Sequence, residues 1–153
     1  TARLSPLVEA LKRRPVCSGR VCGTLNRPAT DNNPRIVGCS GAGGASIVST
    51  NGSNTQASMW NGSVSLLSTF GSGNFASGFG LAYTYNSAGR ALASNSGSVA
   101  SDANGTLTTS PIYLGRDNVI GAGQAYADGW YDLFVLYPHR VSNANLPTLA
   151  VAA

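Results

Sequence analysis

Charged side chains are scarce in this sequence. Asp, Glu, Lys and Arg make up 10% of its residues, against roughly 25% in an average soluble domain. Gly, Ser, Asn, Thr and Ala are abundant instead, which is typical of β proteins with many turns and a polar, uncharged surface. The chain also has a single histidine, His139, and a single glutamate, Glu9. These shortages limit the chemistry that the protein can perform.

The sequence has too few potential catalytic side chains to form a known type of active site. Glycoside hydrolysis generally needs two carboxylic acids that flank the bond, but Glu9 lies in a basic segment. The aspartates beyond residue 35 are scattered over turns and one strand: Asp102, Asp117, Asp128 and Asp132. A serine-histidine-acid relay would depend on His139, which sits in a closing turn and reads as a water-exposed turn residue. We therefore expect no catalytic residues and a non-enzymatic protein.

Metal and cofactor sites are equally unsupported. Three cysteines, Cys17, Cys22 and Cys39, with one distant histidine do not make a four-ligand zinc site. A Cys17–Cys22 bridge in an oxidising setting and three reduced thiols are both compatible with the sequence. GCSGAGGAS, from Gly38, lacks the Gly-Lys-Ser/Thr ending of a phosphate loop, and SDANGT, from Ser101, lacks the bidentate acid of a calcium loop. We expect no metal and no cofactor.

Long hydrophobic runs are also missing, since none approaches the roughly 20 residues that cross a bilayer. We therefore expect no membrane partner. The chain starts at Thr1 without a charged-then-apolar leader, which indicates a processed protein or part of a longer one. Its 153 residues suit one domain with one hydrophobic core.

The basic residues are concentrated at the N-terminus. Seven of the ten lie in residues 1–35 with two acids, a net charge of +5, while the remainder has three arginines and four aspartates, a net charge of −1. We predict that residues 1–15 form a basic arm that binds a partner protein through Arg3, Lys12, Arg13 and Arg14. Nucleic acid is a less favoured partner, because no aromatic side chains for base stacking are interleaved with the arginines.

The arm also carries the signals of a short helix over residues 5–14. Ser5 can cap it, and Pro6 suits the first helical position. Leu4, Leu7, Val8 and Leu11 fall on one face. A helix of under three turns is marginal alone in water, so it would need a partner surface.

Beyond an irregular stretch from Pro15 to Pro34, short apolar or alternating runs predict strands. They are Arg35–Cys39, Ala45–Ser49, Gln56–Trp60, Val64–Phe70, Gly78–Tyr85, Arg90–Ser94, Ser98–Ser101, Ile112–Gly115 and Trp130–Tyr137. Asn-Gly turns at Asn51, Asn61 and Asn104 separate several of them and suit tight hairpins. The pattern indicates an all-β antiparallel sandwich or jelly roll.

The stretch FGLAYTY tests this interpretation. Phe79, Leu81, Tyr83 and Tyr85 would share one face of a strand, because successive side chains point to opposite sides. That face is predicted to be core. The opposite face consists of small residues from Gly80 to Thr84, and it would either pack closely on something or lie open.

The end of the chain is predicted to close the domain. Pro138 lacks an N–H and should end the preceding strand. Ser142 can cap a short helical turn. Leu146 and Leu149 can then fold back onto the core as a latch.

These last motifs carry a resemblance to a known family. The order Leu114-Gly115-Arg116, a Gly-rich gap, the strand that starts at Gly129, the turn Tyr137–Ser142 and the latch Asn143–Leu146 resembles the C-terminal half of laminin-G-like, concanavalin-A-like jelly rolls. It is similar in particular to those at the ends of bacteriophage structural proteins. The resemblance covers residues 75–149, and it departs from the pattern at Asn95-Ser96-Gly97, where the family has Asn-Gly directly.

The resemblance implies a laminin-G-like β-sandwich over residues 16–153 behind the arm. It implies a non-enzymatic virion protein on the particle exterior, as tail fibre, spike or capsid decoration. Its expected partners are other virion proteins, bound through the arm, further copies of itself as a homo-oligomer, and a host-surface glycan. The alternative is a carbohydrate-binding module of a secreted or cell-surface protein.

Aromatic side chains are the remaining candidates for ligand contact. Trp60, beside Met59, and the group Tyr126, Trp130 and Tyr131 could stack on sugar rings. The same side chains also suit a core or a subunit interface. The core or interface interpretation is favoured by the sequence alone.

Overall fold

A computed structural model describes residues 17–25, 35–39, 46–50, 56–61, 64–69, 77–95, 97–105, 112–115, 127 and 129–152. Ten strands and two short helices lie in this part of the chain. The strands are β1 Cys17–Leu25, β2 Arg35–Cys39, β3 Ser46–Thr50, β4 Gln56–Trp60, β5 Ser65–Thr69, β6 Phe79–Asn86, β7 Gly89–Ser94, β8 Ala100–Asp102, β9 Ile112–Leu114 and β10 Gly129–Tyr137. A 3₁₀ turn, Asn143–Asn145, leads into the helix α1, Leu146–Leu149.

The strands form two five-stranded antiparallel sheets. The first sheet has the order β10-β1-β6-β7-β8, and the second has the order β5-β4-β3-β2-β9. The expected all-β antiparallel sandwich is confirmed. Every strand predicted from the alternation of side chains is present, with its ends shifted by no more than two residues.

The main core lies between the two sheets. The first sheet contributes Val21, Phe79, Leu81 and Tyr83, all fully buried. Across from them the second sheet contributes a matching set: Ile36, Val37, Ala57, Met59 and Leu66. The bulky face of FGLAYTY is therefore core, as predicted.

The small face of the same strand is also buried, under the end of the chain. Residues 141–152, here called the C-terminal strap, cross the outer face of the first sheet. Ala82, Ala91 and Ala93 of the sheet form a second apolar cluster with Val141, Leu146 and Ala150 of the strap. A Cβ atom at Gly80 would collide with the backbone of Val151. The small residues of β6 thus allow the strap to approach the sheet closely.

Polar contacts hold both ends of the strap. The backbone N–H of Val141 donates to Ser18 Oγ at 2.8 Å. At the other end, the carbonyl oxygen of Val151 accepts from Arg20 Nη2 at 3.1 Å and from Cys22 Sγ at 3.2 Å. The predicted latch is confirmed in its main parts, because β10 ends before Pro138 and Leu146 is fully buried.

Two expectations need correction, and one of the alternatives left open by the sequence is excluded. The stretch from Pro15 to Pro34 was expected to be irregular, but it contains β1, a central strand of the first sheet. Ser142 precedes the helical turn without a side-chain capping bond. Cys22 is a free, buried thiol, and Cys17 lies five positions before it on the same strand. That spacing is roughly 16 Å, too far for the Cys17–Cys22 bridge.

Candidate functional site

The predicted site residues fall into separate parts of the molecule. The arm residues Arg3, Lys12, Arg13 and Arg14, the predicted helix over residues 5–14 and Tyr126 all lie outside the described residues. Trp60 ends β4 in the second sheet and is partly buried, while its neighbour Met59 is in the core. Trp130 and Tyr131 are adjacent on β10 in the first sheet. No single aromatic cluster therefore forms among the described candidates.

Tyr131 is a structural residue. Its ring packs edge to face on Phe79, with ring centroids 6.4 Å apart and an interplanar angle of 77°. Its hydroxyl donates to the carbonyl oxygen of Ala127 at 3.0 Å. These contacts fix the start of β10 against the core, which is the ordinary use of a tyrosine with an apolar body and one satisfied polar group.

Trp130, unlike Tyr131, is exposed to solvent. Its side chain is 71% exposed, the largest exposure of any large hydrophobic residue in the described part of the chain. An indole left in water on a well-formed strand gains little from folding, and tryptophan is among the residues that most often dominate binding surfaces. Trp130 is therefore the candidate contact residue.

A β-bulge explains why these two neighbours have different environments. The register pairs Gly23 with Tyr131 and Cys22 with Leu133, so Asp132 is an extra residue in β10. Beyond the bulge, Phe134 pairs with the core residue Val21 and packs on the core. The extra residue allows both Tyr131 and Phe134 to face inward, although they are three positions apart.

The same bulge determines which side chains of β10 lie on the outer face of the first sheet. Trp130 pairs with Thr24, and both lie on the side away from the core. Asp132 is exposed at the bulge itself. The strand backbones are close here, because a Cβ atom at Gly23 would collide with the carbonyl oxygen of Trp130. The position of Trp130 is therefore fixed by backbone packing rather than by its own side chain.

Together, Trp130, Thr24 and Asp132 form what we call the β10 surface. It offers a flat aromatic face, a hydroxyl group and a carboxylate on one side of one sheet. Such a set can stack on an apolar ring face and hydrogen-bond to polar groups at the ring's rim. Because side chains alternate along a strand, Trp130 and Tyr131 lie on opposite faces of β10. Which of the two is exposed depends on the bulge, and the sequence carries no clear signal of that bulge.

A buried arginine forms an ion pair elsewhere in the described residues, and this pair is structural. Arg90 on β7 is fully buried and pairs with Asp102 on β8, with Nη2 and Oδ2 2.9 Å apart. It also donates to the carbonyl oxygens of Met59, in β4 of the second sheet, at 2.8 Å and of Val64, just before β5, at 3.0 Å. The hydrogen bond from Arg90 lowers the pKa of Asp102 below its ordinary value. No pattern in the sequence predicts this pair.

The described ranges contain neither a candidate metal site nor a helix that could cross a membrane. No group of three or more His, Cys, Asp or Glu side chains there could hold a metal ion. No helix of that part of the chain is long and apolar enough to cross a membrane. His139 is exposed in the turn that follows β10.

Comparison with known proteins identifies the architecture. The sequence matches no protein-family profile and no curated protein. Among solved structures, it is similar to domains LG4-5 of the mouse laminin alpha1 chain, with a TM-score of 0.55 and 10% identity, covering 83% of this chain and 38% of that one. The chain therefore has the fold of a laminin-G-like β-sandwich. The fold expected from the sequence resemblance is confirmed, and the bacteriophage context stays a prediction.

A part of each of two sialidases is also similar in structure to this chain. Trypanosoma rangeli sialidase in complex with sialic acid matches with a TM-score of 0.60 and 16% identity, covering 88% of this chain and 22% of that one. The K499G mutant of NanB sialidase from Streptococcus pneumoniae matches with a TM-score of 0.61 and 14% identity, covering 92% and 24%. The chain thus spans about a quarter of each sialidase, and at these identities the likeness concerns the fold.

Proposed function

We propose that this domain is a non-catalytic carbohydrate-binding β-sandwich that contacts its glycan through Trp130. The exposure of Trp130 on a strand whose other residues, Asp132 apart, are partly buried carries the proposal. Aromatic rings stack on the C–H faces of sugars, and the removal of both surfaces from water contributes to affinity. Thr24 and Asp132 add the hydrogen-bonding groups that orient a sugar ring.

Two further observations support a binding role. The structures that share the fold include sialidases, one of them in complex with sialic acid, and a laminin. The chain's only glutamate is Glu9, in the basic segment, and its aspartates show no pattern of paired catalytic acids. The proposal is therefore binding without hydrolysis.

A glycan array probed with the labelled full-length chain tests this proposal. We expect the wild type to bind a subset of glycans and Trp130→Ala to lose that binding at least tenfold. Leu67→Ala is the matched control, since Leu67 is also an exposed apolar strand residue, at 51%, but lies on β5 in the second sheet. Equal binding by wild type and Trp130→Ala would contradict the proposed role of this surface.

We further propose that the domain works on the exterior of a bacteriophage particle, as tail fibre, spike or capsid decoration. The support is the sequence resemblance of the segment from Leu114 through the turn after Tyr137 to the ends of phage structural proteins. In this proposal the arm residues Arg3, Lys12, Arg13 and Arg14 bind other virion proteins, copies of the chain form a homo-oligomer, and the sandwich faces the host glycan.

Particle association tests the location separately from sugar binding. Antibody labelling of purified particles in the electron microscope should place the chain on the particle surface. A variant without residues 1–15 should still bind glycan but no longer join particles. Specific sugar binding by a chain that is absent from particles would favour the alternative, a module of a secreted or cell-surface protein.

A further inference from the structure

We propose that the predicted arm helix, residues 5–14, docks on the outer face of β10 in its own chain. The helix lies outside the described residues, and its docking surface lies within them. This surface, here called the outer strip, consists of Leu133 and Val135 of β10 and Val151 of the C-terminal strap. The docking is independent of the proposed carbohydrate binding.

The pairing of β10 with β1 shows which side chains of β10 face outward. Leu133 pairs with Cys22, and Val135 pairs with Arg20. Directly paired residues of antiparallel strands point to the same face. Cys22 and Arg20 both donate to the carbonyl oxygen of Val151 in the strap, on the outer side of the first sheet. Leu133 and Val135 therefore also face outward, beside the end of the strap.

The outer strip is apolar surface that neither described cluster uses. Leu133 and Val135 are partly buried, but neither is among the described side chains that pack on the main core or on the cluster under the strap. Val151, whose carbonyl oxygen lies 3.2 Å from Cys22 Sγ, is 44% exposed. Covering this strip with a further apolar segment is favourable, because it removes more apolar surface from water.

The chain enters the first sheet next to this strip. β1 begins at Cys17, and Ser18 pairs with Tyr137, the last residue of β10. Only residues 15–16 separate the predicted helix from β1, so the Cα atom of Arg14 lies within about 11 Å of that of Cys17. The second sheet fills the inner face, which leaves the outer face for the helix. So short a connection also gives the helix a high effective concentration there.

The helix matches the outer strip in length and in polarity. Ten residues of helix span about 15 Å, and the four strand positions from Tyr137 to Leu133 span about 13 Å. The apolar face of the helix consists of Leu4, Leu7, Val8 and Leu11. Docking removes this face and the strip from water together, which supplies the stabilisation that a helix of under three turns lacks alone.

Docking leaves both proposed binding surfaces free. Trp130 lies three positions beyond Leu133 along β10, past the reach of a helix of about 15 Å. At the helical period Arg13 points away from the apolar face, and Lys12 and Arg14 lie at its borders, where long side chains reach solvent. The docked helix would therefore hold the basic side chains at a fixed place on the domain.

Cysteine cross-linking in the full chain tests the docking. Leu11→Cys is combined with Val135→Cys, or with Leu67→Cys as the matched control on the second sheet, where Leu67 is 51% exposed. The native cysteines are replaced in both: Cys17→Ser, Cys22→Ser and Cys39→Ser. With a short bifunctional thiol reagent at low protein concentration, we expect about tenfold more cross-link within one chain for the Val135 pair, because docking raises the effective concentration of the two thiols.

A double-mutant cycle measures the same contact without a cross-link. The effects of Leu7→Ala and Leu133→Ala on the unfolding equilibrium constant should be non-additive by a factor of at least about three, as expected for side chains in contact. Leu7→Ala with Leu67→Ala is the control cycle and should be additive, because distant sites act independently.

Each outcome decides the proposal. Selective cross-linking to Val135 together with coupling between Leu7 and Leu133 would support docking within the chain. Cross-links between two chains that vanish on dilution would overturn it, and they would indicate that the arm binds a second copy. Equal cross-linking of Val135 and Leu67, or additive effects in both cycles, would overturn it as well. If the cysteine variants do not fold, the cycle alone decides, and no outcome depends on a glycan.

Discussion

At the scale of single residues, Arg90 links the two sheets through polar contacts. Its guanidinium is fully buried and bonds to Asp102 in its own sheet and to two carbonyl oxygens near β4 and β5. A buried pair contributes less to stability than its attraction suggests, since both groups lose water. Removing one partner is costly, because the other charge is then left unpaired in the interior.

We predict that Asp102→Asn lowers the free energy of unfolding by about 3 kcal/mol at pH 7. The pKa of Asp102 is lower in the folded protein than in the unfolded chain. Its contribution is therefore complete above the unfolded pKa of about 4 and is lost as the pH falls through the folded pKa. Urea denaturation from pH 7 to pH 2 should show wild type and variant converging at the acid end.

Asp132→Asn is the control for this measurement, because Asp132 is exposed. Its free energy of unfolding should stay within about 0.5 kcal/mol of the wild type at neutral pH. A constant difference between Asp102→Asn and the wild type at every pH would contradict the assignment of the acid-sensitive stability to the Arg90–Asp102 pair.

This residue-scale feature could not be predicted from sequence. Arg90 follows a glycine and precedes alternating small and apolar residues, so it reads as a polar strand end. Its partners Asp102, Met59 and Val64 are 12 to 31 positions away in the chain. Only the packing of the two sheets brings them together.

At the scale of elements, the C-terminal strap is a third layer. It covers small residues of β6 and β7 that would otherwise expose apolar surface on the outer side of the first sheet. Its main apolar contact is Leu146, which is fully buried, whereas Leu149 in the same helix is partly buried. The two leucines provide a matched pair for measuring what the strap contributes.

We predict that Leu146→Ala lowers the free energy of unfolding by about 2 to 5 kcal/mol, from lost burial and the cavity left behind. Leu149→Ala should cost less, since part of its side chain is already in water. Thermal denaturation of both variants with the wild type checks this order. An unchanged melting temperature for Leu146→Ala would show that the strap does not contribute to the fold.

Thiol labelling of Cys22 reports on the strap directly. In a Cys17→Ser, Cys39→Ser background, Cys22 should react slowly in the native state, since it is buried and bonded to Val151. Gly80→Ala should raise the labelling rate several-fold, because the added methyl group displaces the backbone of Val151. Ser101→Ala, an exposed change on β8, is the control and should leave the rate unchanged.

Element prediction failed at β1 for a physical reason. Its sequence, CSGRVCGTL, interrupts the apolar pattern with Gly19, Gly23 and polar residues. Those residues suit its position between β10 and β6, where Ser18 and Arg20 bond to the strap and Gly23 lies against the backbone of Trp130. A strand selected for close backbone approach has few of the bulky side chains by which strands are recognised.

At the scale of the whole molecule, the sequence predicted the fold class but not the order of the strands in each sheet. Alternation and Asn-Gly turns located the other nine strands, since both are local signals. The order β10-β1-β6-β7-β8 joins strands from the two ends of the chain. Such non-local pairing is decided by the complementary surfaces of whole sheets, which no single segment encodes.

The candidate site could also be predicted only in part from the sequence. In an uninterrupted strand, Trp130 would share a face with Phe134 and Leu136, both of which pack on the core. Regular alternation would therefore bury Trp130 and expose Tyr131. The bulge at Asp132 reverses this arrangement. Residue type selected the right candidates, and one inserted position determined which of them faces the solvent.

The bulge has a second effect, on self-association. Of the described strands, β10 is the longest at a sheet edge, with nine residues, and long regular edges are templates for pairing with another chain. Asp132 interrupts the hydrogen-bonding pattern of this edge and places a charge in its middle. The irregularity that exposes Trp130 thereby also makes the strand a poor template for pairing with another chain.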